Sequence, residues 1–141
     1  MLPRTLFSVL TCAFLTFGMA TPAIAAPEDE VHPEWGSTSA PDAVLKKGCK
    51  SYTYSYEARP PIDGYWSLEL FFKGPQGKRV GSAYFLSGSD PLADTETLRL
   101  CRQTTRVGQF TIRAFLSVED GRDSVEGWLP ESHFRLHRPH R

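Results

Sequence analysis

Two cysteines, Cys49 and Cys101, have the most clearly defined chemistry in this sequence. A third, Cys12, lies in an apolar leader that we expect to be removed. An even number of cysteines in a small secreted domain usually forms disulfides, so we predict one bond between Cys49 and Cys101. The alternative is a pair of buried thiols. A zinc site is a weaker interpretation, because no CxxC pair is present.

Side chains arranged for catalysis are sparse. The sequence has no GxSxG nucleophile elbow, no HExxH zinc motif and no phosphate-binding loop. Three of the four histidines beyond the leader lie in an N-terminal arm or at the very end of the chain. These three are His32, His137 and His140. We therefore predict a protein that binds rather than catalyses.

Three loop carboxylates, Asp90, Asp120 and Asp123, are the candidate metal ligands. Calcium prefers several carboxylate and carbonyl oxygens. The sequence contains no EF-hand loop and no DxDxDG spacing. Calcium is therefore one interpretation, and the other is that these loops are charged without binding anything. We expect no other cofactor.

The first 26 residues have the organisation of a secretory signal peptide. Arg4 precedes an apolar run from Leu6 to Ala20, and Ala23-Ile24-Ala25 is a small-residue cleavage site. The run is shorter than the ~20 apolar residues that a membrane span needs. We expect cleavage near Ala25 or Ala26, secretion, and no membrane span in the mature form.

The charge balance argues against one class of partner. The chain has 16 Lys and Arg against 16 Asp and Glu, and loss of Arg4 with the leader leaves 15 against 16. The mature net charge is then about −1. Proteins that bind nucleic acid usually carry a clear basic excess, so we expect no nucleic-acid partner.

The organising element is the segment 107–120, VGQFTIRAFLSVED. Its apolar residues recur at every second position, which indicates a strand with one buried face. They are Phe110, Ile112, Ala114, Leu116 and Val118. Similar alternation and Gly/Pro turns predict six further strands. Their ranges are 42–47, 49–58, 65–73, 79–86, 95–102 and 127–137.

Seven short strands with turn signals between them predict an all-β protein, a single antiparallel β-sandwich over residues 42–137. Residues 27–41 are rich in Pro, Glu, Ser and Gly, and we expect a flexible, largely disordered arm there. Residues 138–141 are a basic tail. Pro130 must lie at an edge or a bulge of the last strand.

The segment GQFTIRAFLSVED is similar to the sixth strand of bacterial immunoglobulin-like and fibronectin-type sandwiches. The order Cys49, Trp66, Cys101 also resembles the Cys…Trp…Cys order of immunoglobulin domains. The resemblance implies an immunoglobulin-like sandwich. It differs in one respect, because Cys101 precedes the sixth strand and Arg99 stands where a Tyr would. The inter-sheet disulfide of antibody domains is therefore not carried over.

The same topology makes the second and fifth strands antiparallel neighbours. Cys49 begins the second strand and Cys101 ends the fifth, and both lie on the polar sides of their strands. We therefore expect a cross-strand disulfide on the outer face of one sheet. Tyr52, Tyr54 and Tyr56 would then point inward, with their hydroxyls reaching the ends or the edge of the sandwich.

This topology also separates the charges of the loops. One end of the sandwich would collect acidic residues, namely Glu57, Asp63, Asp90, Asp94, Glu119, Asp120, Asp123 and Glu126. The other end would collect basic ones, namely Lys46, Lys47, Lys73, Lys78, Arg79, Arg102 and Arg106. The proposed calcium ligands would all lie at the acidic end.

Phe71 and Phe115 are large apolar residues on the otherwise polar sides of neighbouring strands. Tyr65, Glu69 and Arg113 would flank them, and an apolar cluster with a charged rim is typical of a protein-binding surface. Two alternatives stay open: the arm covers the cluster through Trp35, or the two phenylalanines simply pair across strands.

These observations predict a secreted, non-catalytic binding module of the adhesion type. Its partner would be an extracellular protein or a cell-envelope component. One alternative is a small inhibitor of an extracellular protease or glycosidase that presents the turn Arg59-Pro60-Pro61-Ile62. Another is a calcium- or carbohydrate-binding accessory domain.

Overall fold

The computed structural model describes residues 30–139, which form two β-sheets packed against each other. A 3₁₀ turn at Pro33–Trp35 precedes nine strands: β1 Gly36–Ser39, β2 Ala43–Val44, β3 Cys49–Ala58, β4 Tyr65–Lys73, β5 Arg79–Leu86, β6 Ala93–Cys101, β7 Gly108–Glu119, β8 Ser124–Trp128 and β9 Ser132–His137. Within this part of the chain no helix is both long and apolar enough to cross a membrane.

The smaller sheet has the strand order β1-β3-β6. The larger has the order β2-β9-β7-β4-β5, and β8 also pairs with β7 beyond the end of β9. All of these pairs are antiparallel except β2 with β9. The predicted all-β, sandwich-like fold is confirmed, and the larger sheet is curled into half a barrel.

Alternating side chains of β4 and β7 form the centre of the core. Leu68 and Leu70 of β4, and Ile112 and Leu116 of β7, are completely buried. These two strands are neighbours with a continuous antiparallel register, so both present their apolar side to the smaller sheet. The predicted inward side of the organising strand is therefore confirmed.

The tyrosines of β3 point inward, as expected. Tyr52, Tyr54 and Tyr56 are buried. The Tyr52 hydroxyl accepts a hydrogen bond from the backbone N–H of Lys46 at 3.0 Å. The Tyr56 hydroxyl donates to the carbonyl oxygen of Pro91 at 2.9 Å. Two of the three hydroxyls thus find partners in the loops at the ends of the sandwich, which stabilises buried phenols.

The disulfide also lies where it was predicted. Cys49 and Cys101 are directly opposite each other in the β3–β6 ladder and are bonded, with their Cα atoms 3.8 Å apart. They share the outward side of β3 and β6 with exposed residues such as Ser51 and Arg99. The bond therefore joins two strands on the outer face of the smaller sheet.

The prediction of a flexible arm over 27–41 is wrong for residues 30–41, so the folded part begins before Asp42. β1 pairs with β3 along its whole length. His32 N–H donates to the Trp128 carbonyl oxygen at 2.8 Å, and Trp128 N–H donates to the Glu30 carbonyl oxygen at 3.0 Å. Backbone hydrogen bonds hold this polar segment in place. Because such bonds need no apolar side chains, the sequence shows no hydrophobic pattern that would predict a strand here. Residues 27–29 and the predicted signal peptide lie outside the described residues.

Two further strand boundaries differ from the prediction. The segment 127–137 is not one strand: β8 ends at Trp128 and β9 begins at Ser132. The interruption contains Pro130, which has no N–H to donate to a ladder. The first predicted strand, 42–47, is reduced to Ala43–Val44. Of the basic tail, Arg138 and Pro139 are described and lie beyond β9.

Candidate functional site

The aromatic face, as we name it here, is the outward surface of β4, β5, β7 and β8. The β4–β7 register places Phe71 opposite Arg113 and Glu69 opposite Phe115. Tyr65 lies on the same surface, opposite Glu119. Because Tyr65 is six residues from Phe71 along one strand, the two are about 20 Å apart. The four predicted binding residues thus share one surface but form two separate groups.

The first group is a ring cluster of Phe71, Phe115 and Trp128. The Trp128 ring centroid lies 5.0 Å from that of Phe115 in an edge-on arrangement. It lies 5.9 Å from that of Phe71. All three side chains are half-buried. The two phenylalanines are therefore linked through the tryptophan, which sequence reasoning had not placed on this surface.

Two arginines lie against the ring cluster. The guanidinium carbon of Arg113 lies 4.0 Å from the Trp128 ring centroid, and its Nε is 2.9 Å from Glu131 Oε1. The guanidinium carbon of Arg79 lies 4.5 Å from the Phe71 ring centroid. Such cation–π contacts are favourable, more so where they are partly desolvated. The arginines therefore pack against two of the three rings, with Arg113 paired to Glu131 at the edge of the cluster.

The second group is a tyrosine groove formed by Tyr65, Tyr84 and Leu86. Their exposed fractions are 81%, 59% and 44%. They account for three of the six exposed large hydrophobic residues within residues 30–139. The groove has a volume of about 310 Å³ and is also lined by polar residues such as Ser117 and Glu119. Adjacent exposed apolar side chains with a polar surround are typical of an interaction surface.

The arm does not cover the aromatic face through Trp35. Trp35 stacks on His32 with ring centroids 3.7 Å apart. Both rings lie so close to Gly127 that a Cβ there would overlap them. Side chains alternate along β8, so the side of Gly127 is opposite to that of Trp128. Trp35 therefore packs on the core side of β8 and does not cover the aromatic face.

Two of the three candidate calcium ligands, Asp120 and Asp90, accept hydrogen bonds within their own loops. Asp120 Oδ1 accepts the backbone N–H groups of Arg122 and Asp123, each at 2.8 Å, and these bonds lower the pKa of the Asp120 carboxyl. Asp90 Oδ2 accepts Leu86 N–H at 2.8 Å. Residues 30–139 contain no group of three or more His, Cys, Asp and Glu side chains placed to hold one metal ion. Calcium binding stays a prediction, which calorimetric titration with calcium would test.

The turn predicted for a hydrolase inhibitor is held at both of its ends. Arg59 N–H donates to the Trp35 carbonyl oxygen at 2.7 Å, and Arg59 Nε donates to Glu57 Oε1 at 2.8 Å. Ile62 packs against the core. Pro61 and Asp63 are left exposed at the tip. Inhibition through this turn also stays a prediction.

Comparisons with protein families, with curated proteins and with solved structures found no match. The resemblance to immunoglobulin-like domains stays a prediction, although the pairing of the second with the fifth predicted strand is as it implied.

Sequence reasoning missed Trp128, Arg79, Tyr84 and Leu86 as members of the aromatic face. A signal for two of them was present in β5, where Phe85 is buried between exposed Tyr84 and Leu86. Because side chains alternate along a strand, Tyr84 and Leu86 lie on the side opposite to Phe85. Trp128 had no such signal, because its place depends on where β8 pairs with β7.

Proposed function

We propose that this protein is a secreted, non-catalytic binding module of the adhesion type. Its aromatic face would hold an extracellular protein or a cell-envelope component. The observation that carries the proposal is the tyrosine groove, where Tyr65, Tyr84 and Leu86 are exposed together on the same face as the ring cluster. The contiguous groove is what distinguishes this face from single exposed hydrophobic residues elsewhere.

The arrangement supports binding for two physical reasons. Tyrosine contributes a large contact area together with a hydroxyl and has few rotatable bonds, so its immobilisation costs little entropy. The ring cluster packs against Arg113 and Arg79, and side chains that are already packed lose less conformational freedom when a partner binds. The face is thus preorganised at its centre and adaptable at the tyrosine groove.

Two features support an extracellular location. The exposed cross-strand disulfide fits an oxidising compartment. The apolar N-terminal segment with its small-residue site fits a secretory leader. Both support a domain that meets its partner outside the cell.

A capture experiment tests this proposal. The immobilised chain is incubated with secreted proteins and solubilised cell envelope, in parallel with the double variant Tyr65→Ser/Tyr84→Ser. We expect the wild-type chain to retain a component that the double variant loses, while both melt at similar temperatures. Leu92→Ser is the matched control, since Leu92 is 48% exposed but lies in the loop before β6. Equal retention by all three proteins would contradict a role for this face.

A carbohydrate is the second candidate ligand. The observation that favours it is the composition of the groove, where two exposed tyrosines stand beside Ser67, Ser117 and Glu119. Aromatic rings can stack on sugar rings, and hydroxyl and carboxylate groups can bond to sugar hydroxyls. Protease treatment of the envelope fraction separates the two candidates: retention would survive it for a polysaccharide and disappear for a protein.

A further inference from the structure

The strands bring four basic segments to one end of the sandwich, away from the tyrosine groove. Leu45 N–H donates to the His137 carbonyl oxygen at 2.9 Å, and Arg102 N–H donates to the Gly48 carbonyl oxygen at 3.0 Å. Gly108 lies so close to Pro75 that a Cβ there would touch the proline ring. The β2–β3, β4–β5 and β6–β7 connections and the segment after β9 are therefore neighbours. We call this region the basic end.

The basic end carries many cations and no acidic residue in its own segments. Residues 44–50, 72–80, 101–109 and 136–139 contain no Asp and no Glu. Their cations are Lys46, Lys47, Lys50, Lys73, Lys78, Arg79, Arg102, Arg106 and Arg138. Asp42 lies beside this end, but it accepts the Arg135 N–H at 2.6 Å and is 3.8 Å from His137 Nε2. A chain of zero formal charge thus has one strongly positive end.

Three of these cations line one cleft. Arg102, Arg106 and Arg138 surround a cleft of about 910 Å³, and buried Leu45 and Thr105 also line it. Arg102 Nη1 is 3.5 Å from the Leu45 carbonyl oxygen. Within residues 30–139 none of the three guanidinium groups forms an ion pair with a carboxylate. Three cations that line one cleft repel each other, and a bound anion would relieve that repulsion.

We infer that this cleft binds phosphate groups. Guanidinium groups donate in a planar fork that matches two oxygens of a phosphate, and three of them can contact one phosphate or neighbouring phosphates together. A carboxylate offers only two oxygens and could not engage all three forks. The cleft volume accommodates more than one phosphate, so the fitting ligand class is an oligophosphate or a cluster of phosphate headgroups. This site is separate from the aromatic face, and its test does not depend on the proposed function.

Calorimetric titration of the purified chain with sodium tripolyphosphate in chloride buffer tests the inference. We expect the wild-type chain to bind, and the double variant Arg106→Gln/Arg138→Gln to bind about tenfold more weakly or worse. Arg102 is left unchanged because it contacts Leu45 and adjoins the disulfide. Both substituted side chains are exposed, so folding should be unaffected, which circular dichroism checks.

The matched control is Arg59→Gln/Arg122→Gln, which also removes two arginine charges, but from the opposite end of the sandwich. We expect it to keep the wild-type affinity within about twofold. Equal weakening in both double variants would show an effect of net charge and overturn the inference. Absence of tripolyphosphate binding by the wild-type chain would overturn it too.

Vesicles distinguish the two sources of phosphate. The chain is sedimented with phosphatidylcholine vesicles that contain or lack phosphatidylglycerol. Tripolyphosphate binding together with vesicle binding that only Arg106→Gln/Arg138→Gln abolishes would place the phosphate on a lipid headgroup. Tripolyphosphate binding without vesicle binding would place it on a soluble ligand, and both outcomes support a phosphate site. Vesicle binding that both double variants retain equally, without tripolyphosphate binding, would contradict it.

Discussion

Trp128 separates the residues of the aromatic face that stabilise the fold from those that are exposed to a binding partner. Its ring contacts Phe71 of β4 and both Phe115 and Arg113 of β7, so it links β8 to these two strands. Tyr84, on the same face, is mostly exposed. One surface therefore contains rings that stabilise the fold and rings that are available to a partner.

This division predicts different costs for two truncations. Trp128→Ala should lower the free energy of unfolding by about 2 kcal/mol, because it removes two ring contacts and one cation–π contact. Tyr84→Ala should change it by about 0.5 kcal/mol or less. Urea unfolding of both variants measures the difference. Equal costs would show that the ring cluster and the tyrosine groove are not energetically distinct.

Two buried tyrosines should make the free energy of unfolding depend on pH in the alkaline range. Burial raises the pKa of Tyr54 to about 12, and nearby Glu96 and Tyr56 act in the same direction. Burial also raises the pKa of Tyr56 to about 12, assisted by Asp90 and Asp94. In an unfolded chain these tyrosines release their protons near the ordinary tyrosine pKa of 10.0. Between pH 10 and 12 the unfolded state therefore binds fewer protons than the folded state.

These two groups should therefore cause no pH dependence of the free energy of unfolding below pH 10. The free energy of unfolding should fall as the pH rises from 10 toward 12. Urea unfolding at several alkaline pH values measures this. Tyr54→Phe should reduce the slope, because it removes one of the two shifted groups. Tyr65→Phe is the control, since Tyr65 is 81% exposed, and it should leave the slope unchanged. A slope that neither substitution alters would assign the alkaline loss to other groups.

At the scale of elements, the strands with one apolar side could be predicted and the strands without one could not. β4 and β7 were found because one row of their side chains is buried and the other is not. β1 was missed because its sequence, GSTS, has no apolar side chain. Gly36 is buried there against the Glu57 backbone, and buried Thr38 shares a hydrogen bond with the Ser132 hydroxyl, contacts that no hydrophobic pattern records.

The candidate site was also predictable only where it depends on the alternation of side chains within a pair of strands. Phe71 and Phe115 stand out because each breaks the polar row of its own strand, and the pairing of the two strands brings them to one surface. Trp128 could not be placed, because Pro130 shows that a strand is interrupted but does not show which residues on either side pair with β7. Contacts within one strand pair were predictable, and contacts that depend on a third strand were not.

The docking of residues 30–35 against β8 depends on the absence of a side chain at Gly127. Gly127→Val should displace His32 and Trp35, because a Cβ there would overlap both rings. We expect faster proteolytic cleavage within residues 30–36 and a loss of about 1–3 kcal/mol in the free energy of unfolding. Glu126→Val, one residue earlier on the exposed side of β8, should leave cleavage of this segment unchanged. Equal cleavage in wild type and Gly127→Val would show that the segment docks without needing this space.

At the scale of the whole molecule, the separation of charge is the dominant electrostatic feature. The basic end has no acidic residue in its four segments, while the opposite loops carry Asp90, Asp120 and Asp123 with few cations between them. Each end therefore contains mutually repelling charges, which the Arg59–Glu57 ion pair offsets only in part at the acidic end. In a protein stabilised by surface ion pairs salt would weaken the fold, whereas here screening should relieve repulsion at both ends.

Added sodium chloride should therefore raise the melting temperature, and charge reversal at each end should change this salt response in opposite directions. Arg106→Glu places an acid among the basic segments, so it should stabilise the chain at low salt, by about 0.5 kcal/mol, and reduce the gain from salt. Arg59→Glu adds an acid to the acidic end and removes the ion pair with Glu57, so it should destabilise the chain at low salt and enlarge the gain. Thermal unfolding of the three proteins across a chloride series measures the responses. Chloride is preferred to sulfate, because sulfate also strengthens apolar burial and could occupy the arginine cleft. Parallel salt responses in both variants would show that the charges act through net charge rather than through their separation across the sandwich.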